Sequence, residues 1–566
     1  MKRIAPCVLL AIGLGLGVRG SAAEPHLQRD EDIGEIKRLG GGASRDENRP
    51  GKPVIAVTFE REPLGDAGLE HVRGFLELRD LDLAFSGVTD RGLEHLKQLT
   101  RLRALDLQDT RVTDAGLVHL KRLAQLEKLN LGFTAVTDAG VVHLKGLANL
   151  TDLRLWDVSV TDAGLVHLDP LKRLKVLHLA GTKLTDAGVA HLRGLTGLQE
   201  LHLDWTEVGD GGVEHLKGLT QLEWLSLGDT KVTDAGMEHL QGLGRLHRLE
   251  LGGAKVGDAG VVRLEGLTQL RHLGLDGAPI TDHGLASIKS LGQIETLGLN
   301  NVEVTDAGLE HLKGLSQLRE LRLCGTEIGN AGLAHLKALT SLQSLAVAST
   351  KVTDPGLAHL KGLTKLEHLD LADTRIRGAG LVHLRGLAAL RSLELWDSDV
   401  TDAGLEHLSG LTGLEYLIVS RSNVTDAGLA HLRGLTKLEK LSLRSTSVTD
   451  AGLEHLKGLA RLQDLNLSQT SVTDAGLEHL KGLARLQDLN LGRTRVTDEG
   501  LVHFKGLTSL RSLDLSTTEV KGEGLEHLKG LTRLRSLDLE GTKVTETRMR
   551  ELEKALPRVR IFWKKQ

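Results

Sequence analysis

Histidine is the densest chemical signal in this sequence. Of its 25 histidines, 18 recur at one position every 24 residues from His71 to His527, interrupted only by Arg263 and Ser287. Imidazoles at a fixed step could ligate metal, but a metal site needs three or four convergent ligands held by an oriented second shell. Here each step supplies one histidine, and cysteines and carboxylates are not grouped with it. The alternative is an amphipathic side chain that covers the seam between neighbouring structural elements. For catalysis, Ser, His and Asp are abundant, yet no set of them breaks the pattern as a nucleophile with its base would. HExxH, P-loop and GxSxG motifs do not occur. The expectation is therefore no catalytic residue, no metal and no cofactor.

Aromatic residues carry a sparser signal. There are twelve, and seven fall at the variable outward positions that flank the second leucine of LxxL or follow LxL: Phe85, Phe133, Trp156, Trp205, Trp224, Trp396 and Tyr416. Packing does not demand them, because sister positions hold Gly, Ala or Asp. Exposed aromatics on a rigid surface are typical anchors for a partner; the competing reading is mutual stacking. Around Phe133, Trp156, Trp205 and Trp224 lie Asp152, Arg154, Asp157, His178, His202, Asp204 and Asp229. This mixed aromatic and acidic set suits a protein, or second a polysaccharide, with some basic character. Trp396, Asp397, Tyr416 and Arg421 make a smaller group.

What must position these residues is a repeat. Val472–Arg495 reads VTDAGLEHLKGLARLQDLNLGRTR, and the copy from Val448 to Ser471 matches its first twenty residues. Leucines of an LxL core recur every 24 residues from Leu81 and Leu83 to Leu537 and Leu539, without insertion or deletion. A fixed period of this length signals a stacked solenoid, in which each unit buries its apolar face against its neighbours.

Each unit has two halves. LxxLxL predicts a short strand with leucines inward at period two. TDAGLEHLKGL predicts a short helix with Thr473 or Asp474 at its N-terminus, Leu477 and Leu480 inward, and Gly482 in the left-handed region at its end. Helices are about 10 Å wide and strands lie about 4.8 Å apart, so the stack must curve with a parallel sheet inside. Glycine precedes the first helix leucine in all twenty helices from Gly68 to Gly524. Since glycine costs roughly 1 kcal/mol in a helix, close approach of the next unit is the favoured reason.

The ends differ. Residues 1–23 open with Lys2 and Arg3, run apolar from about Cys7 to Val18, and finish in Ser21, Ala22 and Ala23. That is the layout of a secretory signal peptide, cleaved after Ala23, with an uncleaved anchor as the alternative. The expected location is therefore exported: periplasmic, cell-envelope or secreted. Residues 24–53 are expected to form a capping helix over Ile33, Ile36 and Leu39 and then a loop through Pro50 and Pro53. The solenoid spans 54–544, and 545–566 form a C-terminal capping repeat with Ile561 in register. Registered strands then run from Val57 to Ile561, which makes 22 at 24-residue steps. Cys324 is the one cysteine beyond the leader, so no internal disulfide is expected after cleavage. With 71 basic and 75 acidic residues and a net charge of −4, the chain has no electrostatic reason to bind nucleic acid or an anionic membrane. No membrane span is expected after cleavage.

The pattern LxxLxLxxTxVTDAGLxHLxxL, over roughly residues 54 to 566, strongly resembles the leucine-rich-repeat family. It is similar to bacterial 24-residue repeats and to the arrays of F-box/LRR proteins. The resemblance implies a curved α/β solenoid, with the sheet on the concave face and short helices on the convex face. It also implies a protein-interaction scaffold rather than an enzyme. Many such families place Asn or Cys three residues after LxL; here Thr110, Thr134, Thr182 and Thr494 stand there, able to make a similar side-chain bond. No F-box-like segment precedes the repeats, so an adaptor role of that kind does not carry over. Two other classes remain beside an exported protein scaffold: an envelope glycan-binding or adhesive protein, and a cytoplasmic adaptor if the leader is kept.

Overall fold

The computed structural model describes residues 25–59 and 64–564; the leader at 1–23 lies outside them. The chain forms two compact units, one ending at Leu153 and the other beginning at Arg154.

In the first unit, the helix Pro25–Arg38 buries Ile33 and Ile36. The loop expected after it is corrected. Gly41–Arg45 is a strand, paired antiparallel with Val54–Phe59. Glycine permits this, because a Cβ at Gly41 would meet the buried Phe59 ring at 2.7 Å. Pro50 and Gly51, the latter at φ 76°, sit in the connection. Parallel strands follow in register, Val57 beside Leu81, Leu81 beside Leu105 and Leu105 beside Leu129.

The second unit continues the same rule. Consecutive strands from Val176–His178 to Arg560–Phe562 are parallel, with Leu177 beside Leu201 at one end and Leu537 beside Ile561 at the other. The closing helix Glu546–Ala555 buries Met549 and Leu552. Within each unit the fold is the expected α/β leucine-rich-repeat solenoid, with a parallel sheet on one side and short helical turns on the other. Val472, Leu477, Leu480, Leu486 and Leu491 are all fully buried, each side chain contributing about 1.5–3 kcal/mol of apolar burial.

The helical half is shorter than a regular helix. Asp474–Leu477 makes one α turn and Glu478–Leu480 continues as 3₁₀. The Thr473 hydroxyl accepts the Ala475 N–H and caps the turn. Asp474 does more than complement the helix end. Its carboxylate accepts the backbone N–H of Thr497 at 2.8 Å and the Thr497 hydroxyl at 2.7 Å, tying one repeat to the next. The same tie joins Asp90 to Thr113 and Asp402 to Thr425.

That tie explains the repeated glycine. A Cβ at Gly116 would come within 2.5 Å of Asp90 Oδ1, 3.0 Å of Leu93 Cδ1 and 3.2 Å of Asp90 Cα. Close approach is the cause, as expected. Gly482, in contrast, does not adopt positive φ; the chain leaves the 3₁₀ turn without a left-handed residue. The threonine after LxL acts as expected, with the Thr494 hydroxyl donating to the Leu491 carbonyl at 2.6 Å.

Candidate functional site

Strand positions in register bring side chains into rows 24 residues apart. In the second unit His178 pairs with His202, His202 with Ser226 and Ser226 with Glu250 along one row. Trp224, Arg248 and His272 follow each other along the adjacent row. Because strand spacing is about 4.8 Å, flat side chains in such rows meet face to face or edge to face.

They do so here. Trp156 lies 5.9 Å from His178, tilted by 48°. The His178 and His202 rings stack at 4.4 Å and 12°. His202 meets Trp224 edge-on at 4.5 Å and 73°. The Arg248 guanidinium covers the Trp224 ring at 4.1 Å, a cation–π contact. Arg248 donates to Glu250 at 3.0 Å, and His272 Nε2 lies 2.6 Å from the same carboxylate oxygen. Gly274 leaves the room for this, since a Cβ there would overlap the Glu250 carboxylate.

Burial sets the charges. His202 is 8% exposed. Burial, reinforced by the charges of His178, Arg154 and Arg248, pushes its pKa down to about 3, so it is neutral. Glu250 is also desolvated, but the hydrogen bond and charge of His272 and those of Arg248 overcome this and hold it below the usual carboxylate range. Burial raises Asp204, against hydrogen bonds from the Ser226 hydroxyl and the Gly228 N–H. The row is thus an aromatic stack around a neutral His202, running on to Arg248, Glu250 and His272.

The sequence-selected residues divide accordingly. Trp156, His178, His202 and Trp224 come together. Trp205 does not join the stack; it stands 66% exposed, with Nε1 donating to Asp229 at 3.0 Å. Its backbone is left-handed at φ 55°, a position shared by Asp157 and Asp229. Asp204 lies one residue before Trp205 and is half-buried. Arg154 opens the second unit and is exposed. Phe133, at φ 55° and 47% exposed, and the half-buried Asp152 belong to the first unit. Trp396 and Tyr416 are 37% and 39% exposed, near an Asp397–Arg421 pair at 3.5 Å. Arg248, Glu250 and His272 escaped the sequence reading, although steps of 24 from Trp224 and His202 lead to them.

Some of the helical-side histidines bond to an arginine of the neighbouring repeat. Arg193 donates to Nδ1 of His215 at 2.5 Å, and Arg385 to Nδ1 of His407 at 2.9 Å, each from the preceding repeat. Burial and then the Arg193 charge lower the His215 pKa. Among the described residues, no group of three or more His, Cys, Asp or Glu is placed to hold a metal ion. Among them too, no helix is long and apolar enough to cross a membrane.

Comparison with known proteins agrees with this architecture. Residues 324–562 match a family model described as a leucine-rich repeat region, and residues 98–120 match a leucine-rich repeat model. No curated protein matches by sequence. Among solved structures, the TLR13–ssRNA13 complex is 17% identical, covers 92% of this chain and 96% of its own, and has a TM-score of 0.52. An internalin from Listeria monocytogenes is 22% identical over 75% of this chain and 98% of its own, with a TM-score of 0.42. A leucine-rich-repeat protein of Leptospira interrogans is 18% identical over 78% of this chain and 91% of its own, with a TM-score of 0.40. With the 24-residue period, the leucine-to-leucine register and the family matches together, the chain is a leucine-rich-repeat protein.

Proposed function

We propose that this chain is an exported protein-interaction scaffold that binds its partner on the strand side of the second unit. The observation that carries this reading is the row Trp156–His178–His202–Trp224–Arg248. Its rings are packed against one another before any partner arrives, so little side-chain entropy remains to be lost on binding. Trp205 beside it is a large exposed apolar surface with one polar edge, the composition favoured at interface anchors. Arg248, Glu250 and His272 supply a polar margin that would select register and orientation. Export rests on the leader at 1–23, and N-terminal sequencing of the native protein tests it.

The binding test is affinity capture from native envelope fractions. The full chain is compared with a variant carrying Trp156→Ala, Trp205→Ala and Trp224→Ala. The expected result is a protein retained by the unaltered chain and lost from the variant, with circular dichroism unchanged. Equal retention by both would overturn the reading, as would selective capture of neutral polysaccharide in place of protein.

A further inference from the structure

A second feature on the strand side lies far along the second unit from the aromatic row. Between Arg444 and Ser516 is a hollow of about 310 Å³ with no apolar side chain in its lining. Its chemistry follows from what the repeat has already used up. Asn466 Oδ1 accepts the Ser468 backbone N–H at 3.0 Å and the Ser468 hydroxyl at 2.7 Å. Asn490 Oδ1 accepts the Gly492 N–H at 2.9 Å. A backbone N–H can only donate, so both amide oxygens are fixed toward the main chain and both NH₂ groups face away from it. Gln469 likewise spends its oxygen on the Ser445 hydroxyl, at 2.6 Å.

Elsewhere such an amide is satisfied within the protein. Asn130 donates its NH₂ to Asp106 and Gln108, each at 3.1 Å. At Asn466 and Asn490 no protein acceptor takes the NH₂ among the described residues. Arg444 and Arg493, also on the lining and exposed, have no carboxylate partner among them either. Nearby Asp464 is already held by Lys440 at 2.8 Å. Asp514 uses one oxygen on the Ser516 N–H at 2.8 Å and keeps the other. Five side chains therefore offer donors to the hollow, and one carboxylate offers an acceptor. Gly492 keeps the floor open, because a Cβ there would come 2.8 Å from Ser516 Oγ and 3.2 Å from Asp514 Oδ1.

We propose that this hollow binds a carboxylate-bearing sugar residue, the unit of an acidic polysaccharide. Arg444 and Arg493 take the carboxylate, the amides of Asn466, Asn490 and Gln469 donate to ring and hydroxyl oxygens, and Asp514 accepts one hydroxyl. Charge-assisted donors suit the acid. The wholly polar lining gives nothing to an apolar peptide anchor, and the volume is at the small end of ligand sites, roughly 300–1,000 Å³.

Calorimetric titration of the full chain with trigalacturonate, trigalactose and hexaglutamate tests this. The expected order is trigalacturonate tightest, with trigalactose weaker by about tenfold or more, the worth of one charge-assisted contact. Arg444→Ala with Arg493→Ala should lower trigalacturonate affinity by at least about tenfold without changing the melting temperature, while Lys361→Ala, at an exposed residue outside the hollow, leaves affinity unchanged. Any one of four results overturns the proposal: no binding by the unaltered chain, equal affinity for trigalactose, tighter binding of hexaglutamate, or full affinity in the double arginine variant.

Discussion

The imidazoles of His178 and His202 lie face to face, 4.4 Å apart and 12° from parallel, on adjacent strands. Two such rings stack at this distance at little cost only if at least one is neutral. The burial of His202, with a pKa pushed down to about 3, meets that condition.

A pH dependence follows. Above pH 6.5 His202 is neutral in both the folded and unfolded chain and contributes no slope. Between 6.5 and about 3 the unfolded chain binds a proton there that the folded chain refuses, so stability falls as pH falls. The loss from this one group between pH 6.5 and 5 is roughly 1.5 kcal/mol. His215 and His455, also lowered by burial and a neighbouring arginine, act in the same direction. Urea unfolding of the wild type and His202→Gln at pH 7, 6 and 5 should show the stability gap between them narrowing as pH falls. A pH-independent gap would show that His202 is not held neutral.

Trp205 and Trp224 should respond unequally to replacement. Trp205 occupies a left-handed position, which five sister repeats fill with Gly181, Gly253, Gly277, Gly325 and Gly541. Trp205→Gly relieves about 1 kcal/mol of backbone strain and loses an exposed hydrogen bond to Asp229. Its melting temperature should stay within a few degrees of the wild type. Trp224→Ala removes a half-buried ring packed on His202 and Arg248 and should cost about 2–3 kcal/mol. Thermal unfolding of both variants measures the contrast.

The sequence makes the solenoid legible because its period is unbroken: Leu81, Leu105 and Leu129 are 24 apart and do align. The row through Trp224, Arg248 and His272 was legible by the same step. Other features were hidden because they depend on three-dimensional partners. Thr-Asp before a helix reads as a local cap, yet the carboxylate of Asp474 serves Thr497, 23 residues on. The left-handed backbone at Trp205 is disguised by the variety of residues sharing that step. The hollow at Arg444–Ser516 is made of ordinary polar residues, and its character emerges only once the Asn466 and Asn490 oxygens are seen to be occupied.

The tie between repeats predicts a chemically specific rescue. Asp474→Ala leaves the Thr497 N–H and hydroxyl without their acceptor and should cost about 1–3 kcal/mol. Asp474→Asn should restore most of it, because the chain already uses asparagine in this role. Asn330 Oδ1 accepts the Thr353 N–H at 2.9 Å and Nδ2 donates to the Thr353 hydroxyl at 2.7 Å. Denaturant midpoints for the two variants decide it; equal destabilisation by Ala and Asn would mean that the negative charge matters more than the paired hydrogen bonds.

The two kinds of repeat glycine should separate by position. Gly116 faces Asp90 Oδ1 at 2.5 Å and Asp90 Cα at 3.2 Å from an added Cβ, while around Gly146 nothing lies within 4 Å. Gly116→Ala must push aside the backbone and the carboxylate that holds Thr113, an overpacking cost of about 1–3 kcal/mol or more. Gly146 lacks positive φ, so Gly146→Ala meets no clash and restricts the unfolded chain, a gain of about 0.4–1 kcal/mol. Opposite signs of melting-temperature change are expected from the same chemical substitution, and a loss at both would refute close approach as the reason for glycine at the Gly116 step.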